Sequence, residues 1–355
     1  MRWLIVLLMI FGGSASASAQ SSKAPSWGPQ GNTPTSSSFI PKLKSGEAYS
    51  ERYTFNIPLD GGGEVYLDFT VSNLGWGDNK GATSVRVKLP GQKTYTYRKE
   101  LDADEWAMDR KSFNIRMGKS TVQANGNGYS LRHEGNMPFE LKLENVVPSW
   151  KPGSGKIDVN DETFQLALMS PKARVSGRIK VDGQWQPVSS ANGMGDWSMS
   201  TIAPYDLAQR FSRFRADEGD YAVVWREIQT VEDLGGKSVV WVLVTKGDTI
   251  VFASANATLV TSGFVHDDKS DYDVPRTFQI TAREGENRIS LKVRGGKMKV
   301  RDLLAEYGAV ARTIAGTKTS PFQFNSDAAF TLKLNTVEGE TSVSGRGPLG
   351  IDILN

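Results

Sequence analysis

Apolar and polar residues alternate along most of this chain with a period of two, the pattern of β-strands that bury one face. The segment 65–71 places Val, Leu, Phe and Val on one face and Tyr, Asp and Thr on the other. Turn-forming Gly and Asn residues separate the segments with this pattern. In the N-terminal half the alternation predicts strands at 65–71, 85–89, 95–99, 113–117, 120–124, 128–133 and 139–143.

A second series of strand patterns follows residue 170. It predicts strands at 172–180, 184–189, 239–244, 250–261, 277–282, 288–293, 328–334, 341–345 and 349–354. The segment 239–244 is apolar on both faces, as expected for a strand that is packed on both sides. One segment, 299–315, instead spaces its apolar residues for one face of a helix.

The stretch 193–229 combines aromatic and arginine residues more densely than any other part of the chain. Gly193 and Gly195 permit a close backbone approach or a bulge before a short strand that holds Trp197 and Met199. Pro204 ends that strand, and residues 205–209 are predicted to form one turn of helix. Two strands, 211–215 and 221–229, are then joined by an acidic turn.

Closely spaced antiparallel strands favour a meander that closes on itself, because closure removes exposed sheet edges. We therefore predict an all-β protein of two consecutive antiparallel barrels, with one short helix near the C-terminus. The predicted divisions are a signal peptide at 1–19, a flexible leader at 20–45, a first domain at 46–169 and a second at 170–355. The leader is assigned from its Ser, Pro, Gly and Thr content and its lack of apolar periodicity.

The N-terminus predicts export. Arg2 precedes an apolar run at 3–11, and Ala17-Ser18-Ala19 provides small residues for cleavage before Gln20. We expect a periplasmic or secreted protein without a membrane-spanning helix, because no run reaches about 18 apolar residues. The chain has no cysteine, and its 42 basic and 39 acidic residues are well mixed. Disulfides are excluded, and nucleic acid is not an expected partner.

Several short segments, in matching order, resemble the survival-factor (Svf-like) branch of the tandem-lipocalin superfamily, which includes AttH-like proteins and CrtC carotenoid hydratases. These segments are 147–153 (VPSWKPG), 173–179 (ARVSGRI), 193–195 (GMG) with Pro204 and Arg210-Phe211, 302–306 (DLLAE), 320–324 (SPFQF) and 343–347 (VSGRG). The resemblance implies two lipocalin-like (calycin) barrels, binding or carriage of a hydrophobic lipid, and a link to oxidative stress. A secretion signal and the missing Asp-His-x-Trp-Gly segment distinguish this chain from those relatives.

Candidate ligand-binding residues are aromatic and basic side chains, and one methionine, in or near the stretch 193–229. They are Trp150, Trp197, Met199, Arg210, Phe211, Arg213 and Trp225. The tryptophans either fill the cores or line an apolar cavity. An arginine either meets a lipid head group or stacks on a tryptophan and closes a barrel end. Alternation places Arg213 and Arg215 on the face opposite Phe214.

Enzymatic chemistry is the alternative to binding. An isoprenoid hydratase or cyclase needs a carboxylic acid in a water-poor pocket, and Asp196 beside Trp197 is the candidate proton donor. His133 and His266 lack metal-ligand spacing, so we interpret them as surface or turn histidines and expect no metal or other cofactor. We expect a monomer that binds a hydrophobic small molecule. An outer-membrane barrel is a third option, disfavoured by the charged strand faces.

Overall fold

The computed structural model describes residues 24–74, 79–305 and 319–354. The described chain is almost entirely antiparallel β-structure and forms two barrel-like sheets, as predicted. Its helical elements are single turns: the 3-10 helices Ser36–Phe39 and Glu232–Leu234, and α1 (Pro204–Leu207). No helix in the described ranges is long and apolar enough to cross a membrane. The predicted signal peptide lies outside the described residues.

The first sheet has twelve strands among the described residues. They are β1 (Ser50–Pro58), β2 (Glu64–Ser72), β3 (Lys80–Lys88), β4 (Tyr95–Leu101), β5 (Trp106–Met108), β6 (Asn114–Met117), β7 (Ser120–Asn125), β8 (Gly128–His133), β9 (Phe139–Asn145), β10 (Lys156–Val159), β11 (Glu162–Val181) and β12 (Gln184–Ser200). The order across the sheet is β4-β3-β2-β1-β12-β11-β9-β8-β7-β6-β5, with β10 beside β11. Strand β1, which the sequence analysis did not predict, connects the N-terminal meander to β12.

The second sheet closes into a ring. Its strands are β13 (Ala208–Glu218), β14 (Tyr221–Thr230), β15 (Ser238–Lys246), β16 (Thr249–Ser262), β19 (Thr277–Glu284), β20 (Asn287–Gly295), β21 (Lys299–Asp302), β22 (Phe322–Thr336) and β23 (Gly339–Ile353). A separate hairpin consists of β17 (Val265–Asp267) and β18 (Tyr272–Val274). Because β20 pairs with β22 and β13 with β23, eight strands form a closed barrel and β21 lies outside the ring.

Strands β11 and β12 form a long hairpin that bends where the glycines of the central stretch lie. The register between the two strands shifts three times between Leu168 and Val175, opposite Gly193 and Gly195. A Cβ added at Gly193 would lie 2.5 Å from the Val175 side chain. The bulge and close approach predicted for these glycines are confirmed.

Three apolar cores hold the molecule together. The first fills the interior of the first barrel and the second fills the ring of eight strands. The third lies between the two barrels, where outward-facing side chains of β11 and β12 pack against those of β14 and β15. Trp150 and Trp241 meet in this third core, with ring centroids 5.2 Å apart.

The segment predicted as a flexible leader is packed against both barrels, so that prediction is wrong for residues 24–45. Trp27 is buried between the barrels against Phe164, and Phe39 is buried in the first core with its ring edge against Trp197. The segment lacks periodicity because, apart from the single 3-10 turn Ser36–Phe39, it is neither helix nor strand. Two isolated aromatic rings and several hydrogen bonds to the barrel nevertheless hold it in place.

Two further predictions differ from the structure. The boundary predicted at residue 169 falls inside β11, and the chain passes from the first sheet to the second only after Ser200. The first four residues of the helix predicted at 299–315 form β21, because Val300 pairs with Phe324 of β22. Residues 306–315 of that helix lie outside the described residues.

Candidate functional site

The predicted site residues separate into three environments. Trp197 and Met199 point into the first barrel and are almost fully buried. The indole nitrogen of Trp197 donates a hydrogen bond of 2.9 Å to Glu51. These two side chains therefore belong to the packed core of the first barrel.

Glu51 is a fully buried carboxylate at the end of the first barrel that the leader segment covers. It accepts hydrogen bonds from the hydroxyls of Tyr49 (2.6 Å) and Tyr53 (2.9 Å) and from the backbone amide of Lys42 (2.8 Å), in addition to Trp197. Burial, and then the nearby Glu51 charge, raise the pKa of both tyrosines. The carboxylate thus ties the leader to the barrel wall.

Arg210 and Trp225 lie inside the second barrel. Arg210 shares the inward face with Ser212 and Phe214, and it donates two hydrogen bonds to the buried Glu227, of 3.1 Å from Nε and 2.8 Å from Nη2. The sequence analysis considered a lipid head group or a tryptophan as the partner of an arginine, and not a buried glutamate. Trp225 is fully buried against Phe278, with ring centroids 5.3 Å apart.

Trp150 and Phe211 lie between the barrels. Trp150 contacts Trp241, and Phe211 packs at the edge of the same core, 6.5 Å from Phe164 between ring centroids. Aromatic side chains therefore occupy this interface in the structure.

Arg213 and Asp196 lie outside the barrel interiors and form ion pairs. Arg213 Nη1 is 2.5 Å from Asp352, and Arg213 and Arg215 share the outward face, as alternation predicted. Asp196 accepts a hydrogen bond of 2.8 Å from Arg226 across the interface. This ion pair occupies the carboxylate that the enzymatic alternative requires as its proton donor. The structure does not bring the predicted site residues together in one site.

His133 is buried, so its interpretation as a surface or turn residue is wrong. The ring points into the first barrel, where Nδ1 is 2.9 Å from the Ser120 hydroxyl and Nε2 is 3.0 Å from the Tyr95 hydroxyl. A neutral imidazole has one donor and one acceptor and can satisfy both hydroxyls. Burial, with a smaller contribution from Lys119, lowers the pKa of His133 to about 4.

The first barrel is expected to lose stability in mild acid because of His133. The unfolded chain binds a proton near pH 6.5 and the folded chain only near pH 4, so stability falls as the pH decreases between these values. The expected loss is about 3 kcal/mol of unfolding free energy. Urea unfolding of wild type and His133→Gln at pH 7 and pH 4 checks this, since the variant should show a correspondingly smaller change. Equal changes in the two proteins would contradict the assignment.

The surface that best suits a ligand is the second-barrel pocket, a concavity of about 450 Å³ at one end of the ring of strands. Its apolar side chains are continuous with the second core: Val274 and Phe324 belong to that core, and Met298 and Val300 pack against it. The rim carries Val265, His266, Asp267, Arg276 and Lys297. Apolar groups with a few polar ones are the usual lining of a small-molecule site.

Sequence reasoning missed this pocket. Val274 and Phe324 show only the alternation of ordinary strand residues, and Val300 lay in a predicted helix. The pocket exists because the β17–β18 hairpin and β21 meet at the end of a closed barrel. The sequence offered no local signal for that meeting.

Another concavity, of about 530 Å³, lies on the outer face of the first sheet. Its lining is largely polar and charged, with Gln123, Ser130, Arg132 and Lys142 among its residues. It is a poorer match to a hydrophobic ligand. Among the residues that the structure describes, no group of three or more His, Cys, Asp or Glu side chains is arranged to hold a metal ion.

Solved structures share this fold at low sequence identity. An AttH protein from Nitrosomonas europaea superimposes with a TM-score of 0.54 and 14% identity, covering 85% of this chain and 91% of its own. CghA in complex with Sch210972 gives 0.60 and 11%, covering 92% and 94%. Kievitone hydratase from Nectria haematococca gives 0.54 and 11%, covering 93% and 97%. No curated protein matches the sequence.

At identities this low the three structures support the lipocalin-like fold and nothing finer. The sequence model of one family, in contrast, matches residues 65–350, which is most of the chain and includes strands of both barrels. The resemblance found in the short sequence motifs is therefore confirmed, and the chain belongs to the Svf1 family.

Proposed function

We propose that the protein is an exported lipocalin-like protein that binds or carries one hydrophobic small molecule, a lipid or a terpenoid, in the second-barrel pocket. The observation that carries the proposal is that apolar side chains continuous with the second core reach this pocket, where they share its surface about evenly with polar groups. Met298 and Val300 are only partly buried, and they connect the outside of the barrel end with Phe324 in the core. Such a surface can remove a ligand's apolar area from water.

The architecture supports this location. An eight-stranded barrel is just wide enough to be filled by side chains or to hold one small ligand. Both barrel interiors here contain tightly buried side chains, so the proposal places the ligand at the barrel end and not in a hollow core. One solved structure with the same fold, CghA, was determined with Sch210972.

The predicted signal peptide supports a place of action outside the cytosol, in the periplasm or beyond it. A role in survival of oxidative stress, which the family resemblance implies, is part of the proposal. The alternative of an isoprenoid hydratase or cyclase has less support, because its candidate proton donor, Asp196, is paired with Arg226. Kievitone hydratase has the same fold, but its identity of 11% carries no catalytic residues to this chain.

Binding of a neutral fluorescent hydrophobe, N-phenyl-1-naphthylamine, to the purified mature protein tests the proposal. We expect a saturable fluorescence increase that Met298→Trp weakens at least about tenfold, or about 1.4 kcal/mol, because the indole would fill the pocket. Val337→Trp is the matched control, since Val337 is exposed in the turn at the opposite end of the barrel. No binding, or equal binding by both variants, would refute the proposed site.

A further inference from the structure

We propose that the outer face of the first sheet binds an acidic polysaccharide. The surface in question, called the basic face below, consists of the outward-facing side chains of β6, β7, β8, β9 and the later part of β11, residues 174–180. The inference concerns the other barrel and does not depend on the ligand of the second-barrel pocket. It comes from the charge that the fold collects on this face and from the concavity within it.

The basic face concentrates positive charge that is spread along the sequence. Strand alternation directs eight charged side chains outward, away from the apolar core of the first barrel. Two are acidic, Glu140 and Glu144, and six are basic: Arg116, Arg132, Lys142, Arg174, Arg178 and Lys180.

The turns that border the basic face do not cancel its charge. They carry the carboxylates Asp60, Asp109, Glu134 and Asp182. They also carry the basic residues Arg110, Lys111 and Lys119. A net positive charge therefore remains when all of these groups are counted, and such a surface attracts polyanions.

Ion pairing on the basic face leaves basic groups in excess. Glu140 is paired with Arg178 at 2.7 Å, and Arg132 is paired with Glu134 at 2.8 Å. Lys142 is exposed in β9, and no carboxylate in the described ranges forms an ion pair with it. Its ammonium group is therefore available to an anionic partner.

The concavity of about 530 Å³ lies in the middle of the basic face. The short residues Ser130, Ser176 and Gly177 line it together with the long side chains of Gln123 and Lys142. Hydroxyl and amide groups can bond to sugar hydroxyls, and an ammonium group can bond to a carboxylate or a sulfate. The lining thus provides partners for both kinds of group that an acidic sugar presents.

Two other polyanions fit the basic face less well. Single strands of nucleic acid bind through aromatic rings on which the bases stack. The outward positions of these described strands hold no aromatic residue, and Trp185 on the neighbouring β12 is already covered by Arg178, whose guanidinium carbon is 4.4 Å from the ring centroid. A flat anionic membrane would meet a concave surface only at its rim. A polysaccharide chain can instead lie within the concavity.

The test compares dextran sulfate with uncharged dextran, which has the same sugar backbone, for binding to the purified mature protein at low ionic strength. We expect saturable binding of dextran sulfate that weakens as salt is added, and no binding of dextran. Lys142→Glu should weaken the binding about fivefold to tenfold. Lys292→Glu is the matched control with the same change of charge, because Lys292 is exposed on the outer face of β20 in the second barrel.

A second variant tests the concavity itself. Ser176→Trp would fill it without changing the charge and should weaken binding of dextran sulfate by about fivefold. An absence of saturable binding, equal effects of Lys142→Glu and Lys292→Glu, or unaltered binding by Ser176→Trp would overturn the basic face as a binding site. Tighter binding of a single-stranded oligonucleotide or of phosphatidylglycerol vesicles would overturn the choice of partner. Binding of the naphthylamine probe should be unchanged in all these variants, so the proposed function is tested separately.

Discussion

Replacing Arg210 with methionine is expected to lower the free energy of unfolding of the second barrel by about 3–5 kcal/mol. Glu227 has no solvent exposure, and Arg210 is the cation paired with it. The remaining hydrogen bonds to Glu227, of 2.7 Å from Ser212 and 2.6 Å from Ser238, come from neutral hydroxyls. The variant would leave a buried carboxylate without its counter-charge, which urea unfolding should detect.

Two controls make this result specific. The double variant Arg210→Met/Glu227→Leu should recover most of the loss, because apolar residues of similar size often replace a buried ion pair without cost. Arg346→Met removes the exposed pair with Asp327 on the same barrel and should cost less than about 1 kcal/mol. Equal losses from Arg210→Met and Arg346→Met would show that burial of the Arg210 pair is unimportant.

Replacing Glu51 with leucine should cost about 3 kcal/mol of unfolding free energy, on the order of two unsatisfied buried donors. The donors are the Tyr49 hydroxyl and the Trp197 indole, whereas the Tyr53 hydroxyl can still donate to the carbonyl of Phe39. The backbone amides of Lys42 and Leu43 are only partly buried and can bond to water instead. The same variant should release the segment around Lys42. Urea unfolding and the rate of trypsin cleavage after Lys42 measure the two effects.

Variants at two other positions bracket the Glu51 result. Trp197→Phe removes one donor and leaves the carboxylate with the others, so a loss nearer 1–2 kcal/mol is expected. Glu140→Leu removes an exposed carboxylate that pairs with Arg178 and should change stability by less than about 1 kcal/mol. Unaltered trypsin cleavage after Lys42 in Glu51→Leu would argue against the proposed anchoring of the leader.

Most of the strands, although not β1, were predictable because each depends on its own local alternation. The pairing of strands was not, because it joins segments that are far apart in the chain. Glu51 and Trp197 are 146 residues apart, yet β1 and β12 are neighbours and the two side chains share a hydrogen bond. Because β11 and β12 belong to the first sheet, the second sheet begins after Ser200 and not at the predicted residue 170.

The predicted site shows the same limit. Alternation places Arg210 on the same face of its strand as Phe214. It does not reveal that Arg210 bonds to Glu227 on the next strand. The cores and the interface between barrels take up most of the candidate aromatic residues. His133 carries no spacing motif, so only the folded barrel shows that Ser120 and Tyr95 enclose it.

The third core makes the two barrels dependent on each other. Cutting the chain between Ser200 and Ala208 would uncover Leu166, Leu168 and Met194 on one half and Val224 and Trp241 on the other. Exposed apolar areas of this kind favour aggregation. Neither barrel is therefore expected to remain soluble when it is expressed alone. A gene fusion or recombination event has to keep both barrels together.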